Sequence, residues 1–186
     1  MIFKCFIYKK NINKMHKIYH PPYGHSTKIN YIGKIVKSPK EYYNIKIFVE
    51  KCNELGILDY NMFINTHLEE NIYFNNKNYY QIIMPKINGK ILDEILDEKF
   101  DINIYNKLVS EMKKLKEIIF ILNNNNIYHM DISTTNLIFT DEDKLLLLDF
   151  EFTGESEVIL NLHFENKDMK DIIFVLKEIE DWKNNL

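Results

Sequence analysis

The chain has 186 residues, 46% of them apolar and 27% charged, with a formal net charge of -3 at pH 7. That length buries a sizeable core but is too short for more than one large or two small domains, so a folded, soluble protein is expected. The slightly acidic balance leaves no broad basic field, which argues against strong non-specific nucleic-acid binding.

The first segment, MIFKCFIYKK, is interrupted by Lys4, Lys9 and Lys10 and so reads as a strand, not a signal peptide. Cys5 and Cys52 are the two cysteines, too few for a four-thiolate metal site and in keeping with a reducing compartment. HPPYGHST predicts a turn or loop from its prolines, glycine and hydroxyls. In KINYIGKIVK, Ile29, Tyr31, Gly33 and Ile35 alternate with Ile32, Lys34 and Val36, the two-residue period of a strand. A helix follows in SPKEYYNIKIFVEKCNEL: Ser38 is the expected N-cap, Pro39 the first helical residue, and Glu41, three residues after the cap, the residue that closes a capping box. Gly56 ends it.

Strands are predicted at NMFINTHL, ENIYFNN and NYYQIIMP, and NGK at 88–90 marks a break. Beyond it Tyr105, Leu108, Met112, Leu115, Ile119 and Leu122 recur at three- and four-residue steps, the period of a helix, which runs into the asparagines of 123–126. Two short apolar strands, NLIF and KLLLLDF, flank the turn TDED, and a last helix is predicted over 167–184. No window reaches the roughly 18 apolar residues of a membrane span, so no membrane attachment is expected. Arg is absent from the chain, so phosphate contacts fall to Lys, backbone N–H groups or a metal.

The chemistry gathers in IYHMDISTTNLIF and LLLLDFEFTG. His129, Asp131 and Asn136 in one loop, with Asp149 at the end of the next strand, place carboxylate and amide oxygens together. Such a set suits Mg²⁺, which takes one or two carboxylates and completes its shell with water and phosphate.

HMDISTTN resembles the protein-kinase catalytic loop, H-x-D-x-x-x-x-N, and LLLDFE resembles the strand that ends in the kinase D-F-G motif. The resemblance implies an α+β, minimal bilobal kinase-like fold. Residues 1–86 would form an N-lobe, an antiparallel sheet with one main helix; residues 87–186 would form a truncated, mostly helical C-lobe. It implies ATP and Mg²⁺ as cofactors. Asp131 would accept the proton of the attacking hydroxyl, Asn136 and Asp149 would ligate the metal, and Lys34 would meet the phosphates, with Lys37 as the fallback. Glu41, ahead of Glu50, would pair with Lys34, though it also fits the capping box. Met84, Ile87 and Ile138 would border the nucleotide base, and Gly24 would stand in the place of the glycine-rich loop. His129 and Asp171 would support the catalytic loop.

Departures are visible too. Met130, Ser133 and Glu151 replace the Arg and Lys of the kinase loop and the Gly of D-F-G, and only 35 residues follow Glu151. The chain is similar to the compact serine/threonine kinases of large DNA viruses and to the small kinase of the KEOPS complex. The first likeness, carried by IIMPKINGKIL and KEYYNIKIFVEKCNEL, is the nearer. It implies a cytoplasmic enzyme, in host cytoplasm if viral, that meets a protein substrate or partner protein. The alternatives are a pseudokinase that binds nucleotide or a partner without transfer, and a KEOPS-type kinase or ATPase.

Overall fold

A computed structural model of the chain describes residues 5–6, 16–19, 31–74, 77–155 and 167–184. The chain is α+β. Its strands are β1 (Cys5–Phe6), β2 (His16–Tyr19), β3 (Tyr31–Val36), β4 (His67–Phe74), β5 (Lys77–Pro85), β6 (Gly89–Ile91), β7 (Ile127–Tyr128), β8 (Leu137–Thr140), β9 (Leu145–Leu147) and β10 (Gly154–Glu155). Its helices are α1 (Lys40–Glu54), α2 (Leu92–Leu96), α3 (Ile102–Asn124) and α4 (Lys167–Asn184). The first five strands make one antiparallel sheet in the order β1-β2-β3-β5-β4; β6-β8-β9 and β10-β7 make two small ones.

Register in the large sheet decides which side chains face inward. Lys34 lies opposite Ile82, and Ile32 opposite Met84, so these four share one face. α1 meets that face, where Lys34 bonds to its Glu41, and buries Glu41, Asn44, Ile45, Phe48, Val49 and Cys52 at helical spacing. α3 buries Leu108, Met112, Leu115, Ile119 and Leu122. α4 buries Asp168, Ile172, Val175, Ile179 and Trp182. α3 is capped by Asp101, whose carboxylate accepts from the N–H groups of Asn103 at 2.7 Å and Ile104 at 3.2 Å. The division anticipated at residue 86 falls in the link between β5 and β6. One apolar cluster spans it, from Phe48 of α1 through Leu137 and Leu147 to Trp182 of α4.

Three local expectations give way. NMFINTHL is not a strand: Leu58–Asn65 forms a 3-10 helix and β4 begins only at His67. Tyr60 and Phe63, three residues apart, both turn inward, and Phe63 and Tyr60 each meet an aromatic neighbour in the core; alternation would have sent one of them to solvent. Ser38 is not the N-cap of α1, which starts at Lys40 after Pro39 with no side-chain cap, although Ser38 Oγ accepts from the Lys40 N–H at 3.2 Å. Glu41 closes no capping box, because its carboxylate turns inward. The predicted turn HPPYGHST, with Gly24, lies outside the described residues. Among the described residues no helix is long and apolar enough to cross a membrane.

Two glycines separate backbone need from space. Gly56, just beyond α1, has φ 72° and open surroundings, whereas Gly89 has φ 154° and a Cβ there would lie 2.3 Å from the Phe139 carbonyl oxygen. Gly56→Ala should therefore cost about 1 kcal/mol, the price of a left-handed alanine. Gly89→Ala should cost roughly 3 kcal/mol, since strain and a backbone clash act together. Urea denaturation of the two variants checks the order.

Candidate active site

The site begins with a buried cation. Lys34, 6% exposed, extends from the inner face of β3, and its ammonium donates to Glu41 Oε1 of α1 at 2.5 Å and to Asp149 Oδ1 at 3.0 Å. Those partners lie 7 and 115 residues away along the chain. A buried ammonium left alone would lose several kcal/mol of hydration, which the two carboxylates offset. Glu50, the rival to Glu41, is exposed on the far side of α1, and Lys37 is exposed beyond the end of β3.

Asp149 follows β9, where three consecutive buried leucines form a strand with no solvent face. It has φ 58°, and Met130 in the 129–136 loop has φ 72°. Neither is glycine, so each conformation costs about 1–2 kcal/mol and must be held by its surroundings. For Met130 the holder is α4. Asp168, fully buried, accepts from the backbone N–H of His129 at 2.9 Å and of Met130 at 2.7 Å. Lys167 donates to the Met130 carbonyl and, at 2.6 Å, to Asp171.

Support of the loop was expected from Asp171; Asp168, one turn earlier, makes those bonds. The difference follows from helical phase, for Asp168 shares the buried stripe of Ile172 and Val175 while Asp171 flanks it. That phase was readable in ENKDMKD. With its amide oxygen and nitrogen exchanged, Asn123 would also donate to Asp168 Oδ2 at 3.1 Å and to the Ile127 carbonyl at 2.9 Å.

Within the loop, the Asn136 amide nitrogen donates to Asp131 twice, to Oδ2 at 2.7 Å and to the backbone oxygen at 3.0 Å. One carboxylate oxygen of Asp131 is thereby fixed and the other oriented. The Asn136 backbone carbonyl accepts from Leu148 N–H at 2.8 Å, which ties the loop to the residue before Asp149. His129 lies beneath: its Nε2 donates to the Leu148 carbonyl at 3.1 Å and its ring meets Phe150 edge-on at 5.4 Å. Thr134 donates to Asp93 of α2 at 3.1 Å. Met84 and Ile87 are half-buried and Ile138 is buried; all three pack on the apolar cluster.

Asn44, Asp93, Thr134, Lys167 and Asp168 went unmarked at the sequence level. For Asn44 a signal existed: an amide within the apolar stripe of a helix must find a partner. Its nitrogen donates to the carbonyls of Phe150 at 2.8 Å and Glu151 at 3.0 Å.

The assembled parts are a buried ammonium, a carboxylate oriented by an amide, and an amide and a carboxylate that offer oxygen donors. Among the described residues no three His, Cys, Asp or Glu side chains are grouped to hold a metal ion. An amide oxygen with one carboxylate still fits Mg²⁺, whose remaining ligands come from water and phosphate. No protein-family model matches the chain, and no curated protein matches it.

Burial pushes the His129 imidazole down to about 4, against smaller opposing effects of the Leu148 carbonyl and the Asp131 and Asp149 charges. Between pH 6.5 and about 4 the unfolded chain takes up a proton at residue 129 that the folded chain refuses. The folded state thus loses up to about 3 kcal/mol as the pH falls through that window. Asp168, raised above the usual carboxylate range mainly by burial, acts in the opposite sense by taking its proton first in the folded state. In His129→Gln, which keeps a donor for Leu148, the loss of stability from pH 6.5 to 4 should shrink, as measured by urea unfolding at each pH.

Proposed function

We propose that the chain is a compact kinase that transfers the γ-phosphoryl group of ATP to a hydroxyl acceptor, with a serine or threonine hydroxyl favoured. The observation that carries this reading is the double engagement of Lys34 by Glu41 and Asp149 at 2.5 and 3.0 Å, tied to the Asp131–Asn136 pair through the Leu148 N–H, which donates to the Asn136 backbone oxygen at 2.8 Å. The five-stranded sheet covered by α1, followed by a mainly helical half, supports a minimal bilobal kinase-like fold. The agreement of loop motif, strand-end aspartate and buried Lys–Glu pair supports the activity.

Each residue then has a task. Lys34 would meet the α- and β-phosphate oxygens, with Glu41 holding its ammonium in place. Met84, Ile87 and Ile138 offer apolar surface to the base. Asn136 and Asp149 would hold Mg²⁺, which when bound offsets the negative charge of the phosphates. Asp131, its carboxylate turned by Asn136, orients the acceptor hydroxyl and receives its proton. As the acceptor oxygen bonds to the γ-phosphorus, the bond from that phosphorus to the bridging oxygen breaks, and ADP leaves with the electron pair.

One observation favours a second reading, nucleotide binding without transfer. Ser133 and Thr135 bond to each other through their hydroxyls at 3.0 Å, so residues 131–136 bring no cation toward a moving phosphoryl group. Mg²⁺-dependent ATP turnover separates the two. Wild type should turn over ATP with itself or a generic protein as acceptor, and Asp131→Ala should lower the rate by about 100-fold or more while leaving nucleotide affinity within a few-fold. Equal rates in wild type and Asp131→Ala, with nucleotide still bound, select the second reading. Lys34→Ala should weaken nucleotide binding itself, measured by calorimetry.

A further inference from the structure

The turn that carries Asp149 is strained at that residue, with φ 58°, and such a conformation lasts only where neighbours over-determine it. One restraint is the Phe150 ring, packed against Phe48, His129 and Phe63 with centroids 4.8, 5.4 and 5.5 Å away. Another is local, the Thr153 N–H donated to the Phe150 carbonyl at 3.2 Å. The third comes from α1, in a form nothing in the loop motif requires.

Asn44 stands one turn after Glu41 on the buried face of α1 and is 6% exposed. Its amide nitrogen spends both hydrogens on the turn, donating to the Phe150 carbonyl at 2.8 Å and the Glu151 carbonyl at 3.0 Å. Two side chains of one helix face therefore hold the same turn at different points. Glu41 acts through Lys34 on the carboxylate; Asn44 acts on the backbone beyond it. An amide nitrogen can do this because it has two donors and no charge to desolvate. A carboxylate at the same place would aim its oxygens at two carbonyl oxygens.

Resting on the phosphoryl-transfer reading above, we infer that Asn44 is a positioning residue: it locks the 149–151 turn to α1, so that the Asp149 carboxylate stands ready for a cation. α1 and the turn then move as one unit.

The test uses the full chain with Asn44→Asp and Asn44→Leu, and Glu50→Gln on the exposed side of α1 as the control. Amide hydrogen exchange over residues 150–153 is followed beside the Mg²⁺ dependence of ATP turnover at saturating nucleotide. Both Asn44 variants should exchange about tenfold faster in that segment, and the Mg²⁺ midpoint should rise about fivefold with turnover recovering at high Mg²⁺. Glu50→Gln should match wild type in both. Turnover lowered by one factor at every Mg²⁺ concentration, with an unmoved midpoint, is the mark of a merely structural residue and overturns the proposal. Unchanged exchange over 150–153 in a folded Asn44 variant overturns it as well. Where Asn44→Asp does not fold, the near-isosteric Asn44→Leu decides. Should wild type turn over no ATP, it is the phosphoryl-transfer reading that falls; the exchange measurement then decides the lock by itself, faster exchange sustaining it and equal exchange ending it.

Discussion

A lysine charge buried under a β-sheet dictates most of what surrounds it. Lys34 is nearly inaccessible, and the two carboxylates that stabilise it come from a helix 7 residues on and a strand end 115 residues on. To bring both within hydrogen-bond distance, α1 must lie on the inner face of the large sheet with Glu41 inward, and β9 must end directly below. The three elements are thus drawn to one point. Buried ion pairs are weak devices for stability, since well-packed apolar groups of similar volume often serve as well or better. What a triad spanning so much chain fixes is the mutual placement of β3, α1 and the end of β9.

The second constraint is backbone strain, and it is handled symmetrically. Met130 and Asp149 both sit in the left-handed region. Each is held by a different helix: Met130 by Asp168 and Lys167 of α4, the turn after Asp149 by Asn44 of α1. His129 joins the two, bonding to Leu148 through its ring and to Asp168 through its backbone. Because its ring is buried and stays neutral, it can serve as this joint without adding a charge to a site already rich in them. Asp168 bears its own burial for the same reason, two backbone N–H groups directed at it from the strained loop.

Helix-packed aromatics complete the arrangement. Phe48 of α1 packs against both Tyr60 and Phe150, and Phe63 packs against Phe150 as well. The 3-10 helix at Leu58–Asn65 exists to present Tyr60 and Phe63 to that cluster, which is why a segment with strand-like composition does not become a strand. Packing of Phe150 thereby links the helix that holds Lys34 to the residue that follows Asp149.

What the sequence by itself determined is what repeats locally. The three- and four-residue apolar period marks α3 and α4, the latter over its observed range of 167–184; alternation marks β3, and the leucines of 145–147 mark a strand buried on both faces. The spacing of His129, Asp131, Asn136 and Asp149 was likewise visible. Tertiary structure alone decided between candidates that local pattern leaves equal: Glu41 over Glu50 beside Lys34, Asp168 over Asp171 beneath the loop, an inward Glu41 over a capping box, a 3-10 helix over a strand. The physical reason is the same in each case. Periodicity records which face of an element is buried, whereas the partner that a buried charge or amide meets comes from distant chain and is chosen only when the elements pack.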